Sequence, residues 1–381
     1  MINLSKMNKI LAKSTKSNNL SKNKTLLFII GDFKYGGIGR YSQKVIPAIS
    51  RKFRVSTLTR DIISNKEIKK YKIKKCFFIK IPKIFNFWPL KELYFFIQGL
   101  NFFKNKSFDI IILNYPFYIP KINNSNTKII NIFHSLHKQF VTADCPNSFK
   151  FFFIKLLHLS MIPLDFFRLK RANKNIFISK TLVSLTDIKN KIFIPNPLEK
   201  SIKIRNKTYK KQIKILFIAR NDPFKGIDFL ERILSEIYIK NYKKYNKIKF
   251  SIVGIKKLNK TYPNTQIYGK LSFFETNKLL KKTDILLSTS FSENTPNILF
   301  EALENNVIPL FSDVGDCKYI IKNSSIIFKS NNLEDFMNKF DRLLININNK
   351  NIPKINIKKI NENYSLKKTN NTLVREISNL K

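Results

Sequence analysis

Two carboxylates, Glu293 and Glu301, stand eight residues apart in SFSENTPNILFEALENNVIPLFSDVGD (290–316), in a chain of 71 Lys and Arg against only 25 Asp and Glu. Thr295 followed by Pro296 has the chemistry of an N-cap and a first helical turn, so a helix is expected over about 296–305. Glu293 then lies in the loop before that helix and Glu301 on its second turn. Carboxylates so placed can reach different parts of one extended ligand, and each accepts paired hydrogen bonds from vicinal hydroxyls such as those of a ribose or a sugar ring. Read alone, the pair has a plainer meaning: Glu301 on a solvated helix face and Glu293 as a partner of the helix dipole.

The cations that would accompany them are Arg220 and Lys225 in ARNDPFKG. From one loop, Arg can grip a diphosphate with its fork and Lys can add a point charge, although such pairs also arise by chance in a chain this basic. Gly36, Gly37 and Gly39 in GDFKYGGIGRY let backbone N–H groups approach an anion at a helix N-terminus, or simply make a tight turn. The run completes neither GxGxxG nor a P-loop. His134 ends the apolar run TKIINIFH; His137 and His158 carry no such positional signal and read as structural.

These residues must be positioned by elements that the hydrophobic pattern supplies. Apolar runs at 25–33, 53–59, 108–114, 127–134 and 175–180, separated by helical stretches, predict one doubly wound α/β domain. After a polar crossing at 192–211 the alternation restarts, with strands expected at 212–220, 248–254, 265–270, 284–289, 306–312 and 324–329. The chain thus divides into a disordered basic lead-in (1–24), an N-terminal domain (25–198), a C-terminal domain (199–360) and a final helix (361–381) crossing back to the first domain. Ligands of open parallel sheets bind where strands end. All the candidate residues fall at such ends.

A length of 381 residues and a hydrophobic content of 43% suit two cores. No long uncharged apolar stretch or secretion signal stands out, so the chain is expected in the cytoplasm. Cys76, Cys145 and Cys317 have no metal-ligand spacing and read as free thiols. The formal charge of +46 attracts polyanions, whether nucleic acid, anionic lipid or phosphorylated substrate, and part of it reflects a Lys- and Asn-rich composition. No nucleic-acid-binding motif is present, so no specific nucleic-acid partner is expected.

Taken together, DILLSTSFSENTPNILFEAL with its E-x7-E, VIPLFSDVGD, FIARNDPFKGIDFL and GGIGRY resemble the retaining glycosyltransferases of the glycosyl transferase group 1 class (family 4), over most of the chain. The resemblance implies a GT-B fold, two Rossmann-like domains facing each other across a cleft. It implies that Arg220 and Lys225 neutralise the donor diphosphate, Glu301 holds the nucleotide ribose and Glu293 lies by the transferred sugar. Thr295, Pro296 and Asn297 would line the sugar and phosphate pocket, with His134 facing the sugar and Gly37 near donor or acceptor. The donor would be a UDP- or GDP-sugar used without a metal cofactor, for which no DxD motif is present. The acceptor would be a glycan, often lipid-linked, in assembly of a surface polysaccharide such as O-antigen, lipopolysaccharide or capsule. Two departures stand out: Asn305 and Asn306 occupy the turn where the class commonly has Gly, and IPNP surrounds Asn196 where PNG is frequent.

Two apolar, basic-flanked stretches, 84–106 and 149–171, fit either a membrane-facing surface or helices buried against the sheet. A peripheral position at the inner face of the cytoplasmic membrane is the expectation. A GT-B sugar-nucleotide epimerase or hydrolase, and a non-enzymatic protein that binds polyanions by charge, are the competing readings.

Overall fold

The computed structural model describes residues 24–34, 36–85, 90–104, 106–116, 126–203 and 212–380. The basic lead-in, apart from Lys24, and residues 204–211 of the crossing lie outside them.

A strand buried on both faces needs an unbroken apolar run, and Leu26, Leu27, Phe28 and Ile29 of the first strand are fully buried. The N-terminal half runs β1 (Thr25–Ile29), α1 (Gly36–Ile49), β2 (Arg54–Thr59), α2 (Asn65–Tyr71), β3 (Lys75–Phe78), α3 (Leu90–Lys104), β4 (Ile110–Leu113), β5 (Lys128–Phe133), α4 (His137–Val141), α5 (Phe149–Arg171), β6 (Lys174–Phe177), α6 (Lys180–Ser184) and β7 (Lys191–Phe193). Its strands form one parallel sheet in the order β3-β2-β1-β4-β5-β6-β7. The C-terminal half runs β8 (Ile213–Ile218), α7 (Ile227–Ser235), α8 (Tyr242–Tyr245), β9 (Ile248–Val253), β10 (Thr265–Ile267), α9 (Phe273–Leu280), β11 (Ile285–Ser288), α10 (Asn297–Glu304), β12 (Ile308–Ser312), α11 (Cys317–Ile321), β13 (Ile327–Phe328) and α12 (Leu333–Asn348). Those strands form a second parallel sheet, β10-β9-β8-β11-β12-β13.

Both sheets reverse their winding beside the first strand, between β1 and β4 and between β8 and β11. Loops diverge there and leave a crevice at the carboxyl ends of the strands. The glycine run follows β1, the Arg220 loop follows β8 and the Glu293 loop follows β11, so topology alone gathers the candidate residues. All the expected strands are present, and β3 and β7 are additional edge strands.

The chain then crosses back. In α13 (Ile357–Tyr364), Ile360 and Tyr364 join the C-terminal core, while in α14 (Leu366–Ser378), Leu373, Val374 and Ile377 join the N-terminal core. Asn370 Nδ2 donates to the Lys44 carbonyl, and Lys174 pairs with Glu376 at 2.6 Å. Together α13 and α14 therefore tie the two halves to each other. Among the described residues no helix is long and apolar enough to cross a membrane.

Candidate active site

Helix α10 begins one residue later than the sequence suggests. Pro296, with φ −67° and ψ 120°, is the N-cap and provides no side-chain cap. The hydroxyl of Thr295 donates instead to the Ile178 carbonyl of the other half, at 3.1 Å. The expected Thr295 cap is thus corrected: a cross-domain acceptor competes for the hydroxyl and wins. At the helix's far end Asn306 takes φ 55°, the left-handed turn that Asn tolerates and that substitutes for Gly.

Glu293 and Glu301 both face the space between the halves, and each holds a cation. Lys225 pairs with Glu293, whose carboxylate also accepts from Ser290 Oγ at 3.2 Å. Arg40 of α1 pairs with Glu301 and lies 4.8 Å over the Phe273 ring. Lys225 owes its place to a stitched loop. Asp222 caps the turn by accepting from Phe224 N at 3.0 Å, and Thr289 Oγ1 donates to the carbonyls of Lys225 and Gly226. Gly226 has φ +65°, and a Cβ there would fall 1.9 Å from the Thr289 carbonyl oxygen. Gly315 is equally confined, its absent Cβ only 2.4 Å from the Glu293 carbonyl oxygen and 2.3 Å from that of Asn294. Arg220, 3.6 Å from Asp222, extends into solvent with 77% of its side chain exposed.

The N-terminal half supplies the facing wall. Gly37 opens α1 directly opposite α10, where a Cβ would meet Asn297 Nδ2 at 3.3 Å. Asn297 Oδ1 accepts in turn from Asn196 Nδ2 at 2.6 Å, so Asn196 ties the crossing to the start of α10. Gly36 takes φ +76° in open space, whereas Gly39 is buried under the carbonyls of Asp32 and Phe33 and serves the turn itself. The N-termini of α1 and α10 thus approach each other at Gly37 and Asn297. That arrangement favours an anion.

His134 sits beside this space. Ser42 Oγ donates to the Ile38 carbonyl and accepts from Asn114 Nδ2, so Asn114 Oδ1 is left to accept from His134 Nε2 at 2.8 Å. Tyr41 packs edge-on against the ring at 5.0 Å. Burial pushes the imidazole down to about 3, and the Arg168 guanidinium adds to the effect. His134 is therefore neutral near pH 7, with Nδ1 as its remaining acceptor.

Several residues that sequence reasoning passed over prove to hold the site. Asn294 Nδ2 donates to the His134 carbonyl, and Gln139 Nε2 donates to Ser292 Oγ and the Glu293 carbonyl, both at 2.8 Å. Asp316, fully buried in the C-terminal half, caps α6 of the N-terminal half by accepting from Lys180 N at 2.8 Å and Thr181 N at 3.0 Å. Arg40 was visible within GGIGRY and Asp316 within SDVGD. Gln139 carried no local signal.

No curated protein matches the chain. Among solved structures, it resembles sucrose-phosphate synthase from Thermosynechococcus elongatus at 13% identity and TM-score 0.70, covering 93% of this chain and 99% of that one. It resembles the HepE protein of Anabaena in complex with UDP-glucose at 11% identity and TM-score 0.66, covering 94% and 100%. A third is WaaG, a glycosyltransferase involved in lipopolysaccharide biosynthesis, at 14% identity and TM-score 0.62, covering 93% and 98%. At such identities the likeness establishes a fold. The chain has the two-domain GT-B fold of these proteins, and its residues 199–360 match the family described as Glycosyl transferases group 1.

Proposed function

We propose that the protein is a retaining glycosyltransferase that moves a hexosyl or N-acetylhexosaminyl group from a UDP- or GDP-sugar to a glycan acceptor. The observation that carries this reading is that the segment matching the group 1 family holds both the Lys225–Glu293 pair and Glu301, and that Glu301 meets Arg40 of the other half. A nucleoside diphosphate leaving group accumulates charge on its β-phosphate. Lys225, Arg220 and the first N–H groups of α10 stabilise that charge, a role that takes no metal cofactor. Glu301 accepts from the ribose hydroxyls, and Glu293 orients the transferred sugar.

Retention follows from attack on the face that the diphosphate leaves. The bond from the anomeric carbon to the phosphate oxygen breaks, a bond to the acceptor oxygen forms on the same side, and the acceptor proton passes to the departing phosphate. His134, neutral and held by Asn114, orients a sugar hydroxyl rather than carrying charge. The acceptor is a lipid-linked glycan of a surface polysaccharide, O-antigen, lipopolysaccharide or capsule, met at the inner face of the cytoplasmic membrane. WaaG, with its role in lipopolysaccharide biosynthesis, supports that setting, and HepE with UDP-glucose supports the donor.

The test is a thermal-shift screen against UDP, GDP and their sugars without added metal, alongside Glu301→Ala. A shift with one nucleotide that Glu301→Ala loses is the expected result. No shift with any nucleotide, while DNA or anionic polymer still binds equally to both proteins, would leave charge-driven polyanion binding as the function.

A further inference from the structure

A helix lying on a soluble domain turns its apolar stripe toward the core. Helix α5 buries Phe151 and Leu169 but also turns a broad apolar face outward. Its inner face carries Asp165 and Arg168, which bond to each other, while Asp165 accepts from His137 N at 2.7 Å and Arg168 stacks on Phe133 at 4.5 Å. Its outer face carries Phe149, Phe152, Phe153, Leu156, Phe166 and Phe167, each between 49% and 77% exposed. From Phe152 to Phe167 every exposed residue is Phe, Leu, Ser or Pro, and none is charged. Exposed Lys150, Lys170 and Arg171 stand at the two ends.

Helix α3 extends the same face. Its Phe95 packs with Leu27, Ile29, Ile111 and Leu113, and the register that pairs Leu113 with Asn131 puts Asn131 on that side of the sheet. Asn131 Nδ2 donates to the Arg168 carbonyl of α5, so both helices cover one face. The outward residues of α3 include Leu90, Leu93 and Ile97, a stripe at helical spacing.

A bare apolar surface of this breadth marks a binding site. What covers it follows from charge. A second copy would bring +46 against +46, whereas an anionic leaflet offers hydrocarbon to the phenylalanines and headgroups to the flanking lysines. We propose that α5, with the outer stripe of α3, lies in the plane of an anionic lipid leaflet with its phenylalanine face inserted and its terminal basic residues at the headgroups. This deepens the peripheral location given above and names the element responsible. The inner face of α5 abuts the donor loop, with Phe151 5.7 Å from Phe291 and 6.0 Å from Phe224. The cleft is thereby held at a fixed height over the lipid.

The experiment is co-sedimentation with vesicles of phosphatidylglycerol and phosphatidylcholine, for the wild-type chain and for a Phe152→Ser, Leu156→Ser, Phe167→Ser triple variant. Because so cationic a chain adsorbs to any anionic surface, the decisive condition is about 0.5 M NaCl, where charges reach only roughly 4 Å. Wild type should remain bound there, and the triple variant should lose partitioning by about 1,000-fold or more, as expected for three large apolar side chains. All three side chains are exposed, so melting temperature and the nucleotide-induced shift should be unchanged. Complete release of wild type by salt, or undiminished binding of the variant, would overturn the proposal. So would a wild-type dimer that the variant dissolves while vesicle binding persists, which would assign the face to a second copy. If neither protein responds to nucleotide yet vesicle binding behaves as described, the donor reading falls and the membrane assignment stands.

Discussion

In the C-terminal half, the loops that leave the sheet at the site are fixed by contacts that leave no room for one more carbon. Gly226 lies under the Thr289 carbonyl, Gly254 under that of Ala219 and Gly315 under those of Glu293 and Asn294. In the N-terminal half Gly36 has the same kind of backbone, φ +76°, with nothing within 4 Å of where its Cβ would be. Helix α5 of that half turns phenylalanine to the surroundings. The contrast is between loops and not between whole halves, since Gly39 of the N-terminal half is crowded as Gly226 is, and Gly269 of the C-terminal half lies open.

Replacing glycine by alanine sharpens the contrast most. At Gly226 and at Gly36 alike the left-handed backbone costs about 1–2 kcal/mol for any other residue. Only at Gly226 must the β11 backbone also move, so Gly226→Ala should cost at least about 3 kcal/mol in urea unfolding, and Gly36→Ala only about 1 kcal/mol. Equal losses would mean that the crowding at Gly226 adds nothing to the backbone strain, and the comparison would fail.

Acid probes the N-terminal half through its histidines. All three histidines, His134, His137 and His158, lie in the N-terminal half. Burial lowers each of them, His134 to about 3 and His158 to about 4, with Arg168 acting on His134 and His137. Asp165 beside His137 and Asp222 beside His158 oppose the shift without cancelling it. The folded imidazoles thus refuse a proton that the unfolded chain accepts below about pH 6.5. Stability present above that pH is lost as acid is added down to the folded values, at up to about 1.4 kcal/mol per pH unit for each ring. Urea unfolding at about pH 7 and about pH 5 should show this slope, reduced in His134→Gln by about one ring's share. An identical slope in that variant would remove His134 from the buried neutral groups.

How much of this could be read in advance also differs between the halves. The C-terminal strands are apolar runs bounded by polar turns, and every one was legible. In the N-terminal half, β3 is the short run KCFF between lysines and β7 is three residues long. Their pairing with β2 and β6 fixes them, and that is tertiary information. Within the candidate site, Lys225 and Glu293 stood out as a loop cation and a loop carboxylate, but that they pair with each other was not foreseen. Gln139 and Asn294 were not, because their partners lie 154 and 160 residues away in the chain. The orientation of α5 was open for the same reason: its apolar content is plain in the sequence, but only the packing reveals which side the phenylalanines take.

The smallest predicted effect tests where the two halves touch. Helix α1 presents a basic edge to the acidic edge of α10: Arg40 pairs with Glu301, and one turn later Lys44 donates to the Pro197 carbonyl at 2.9 Å and lies 3.8 Å from Glu199. If Glu301 is the ribose ligand, Arg40 competes with the nucleotide for the same carboxylate. A partly exposed ion pair of this kind contributes about 1 kcal/mol or less, so Arg40→Ala should tighten UDP or GDP binding by roughly 2- to 5-fold in calorimetric titration. Lys44 remains in the variant to hold α1 against the crossing, so the cleft should keep its shape. Weaker binding would carry the opposite meaning, that Arg40 itself grips the nucleotide. The donor site would then be shared by both halves instead of belonging to the C-terminal half alone.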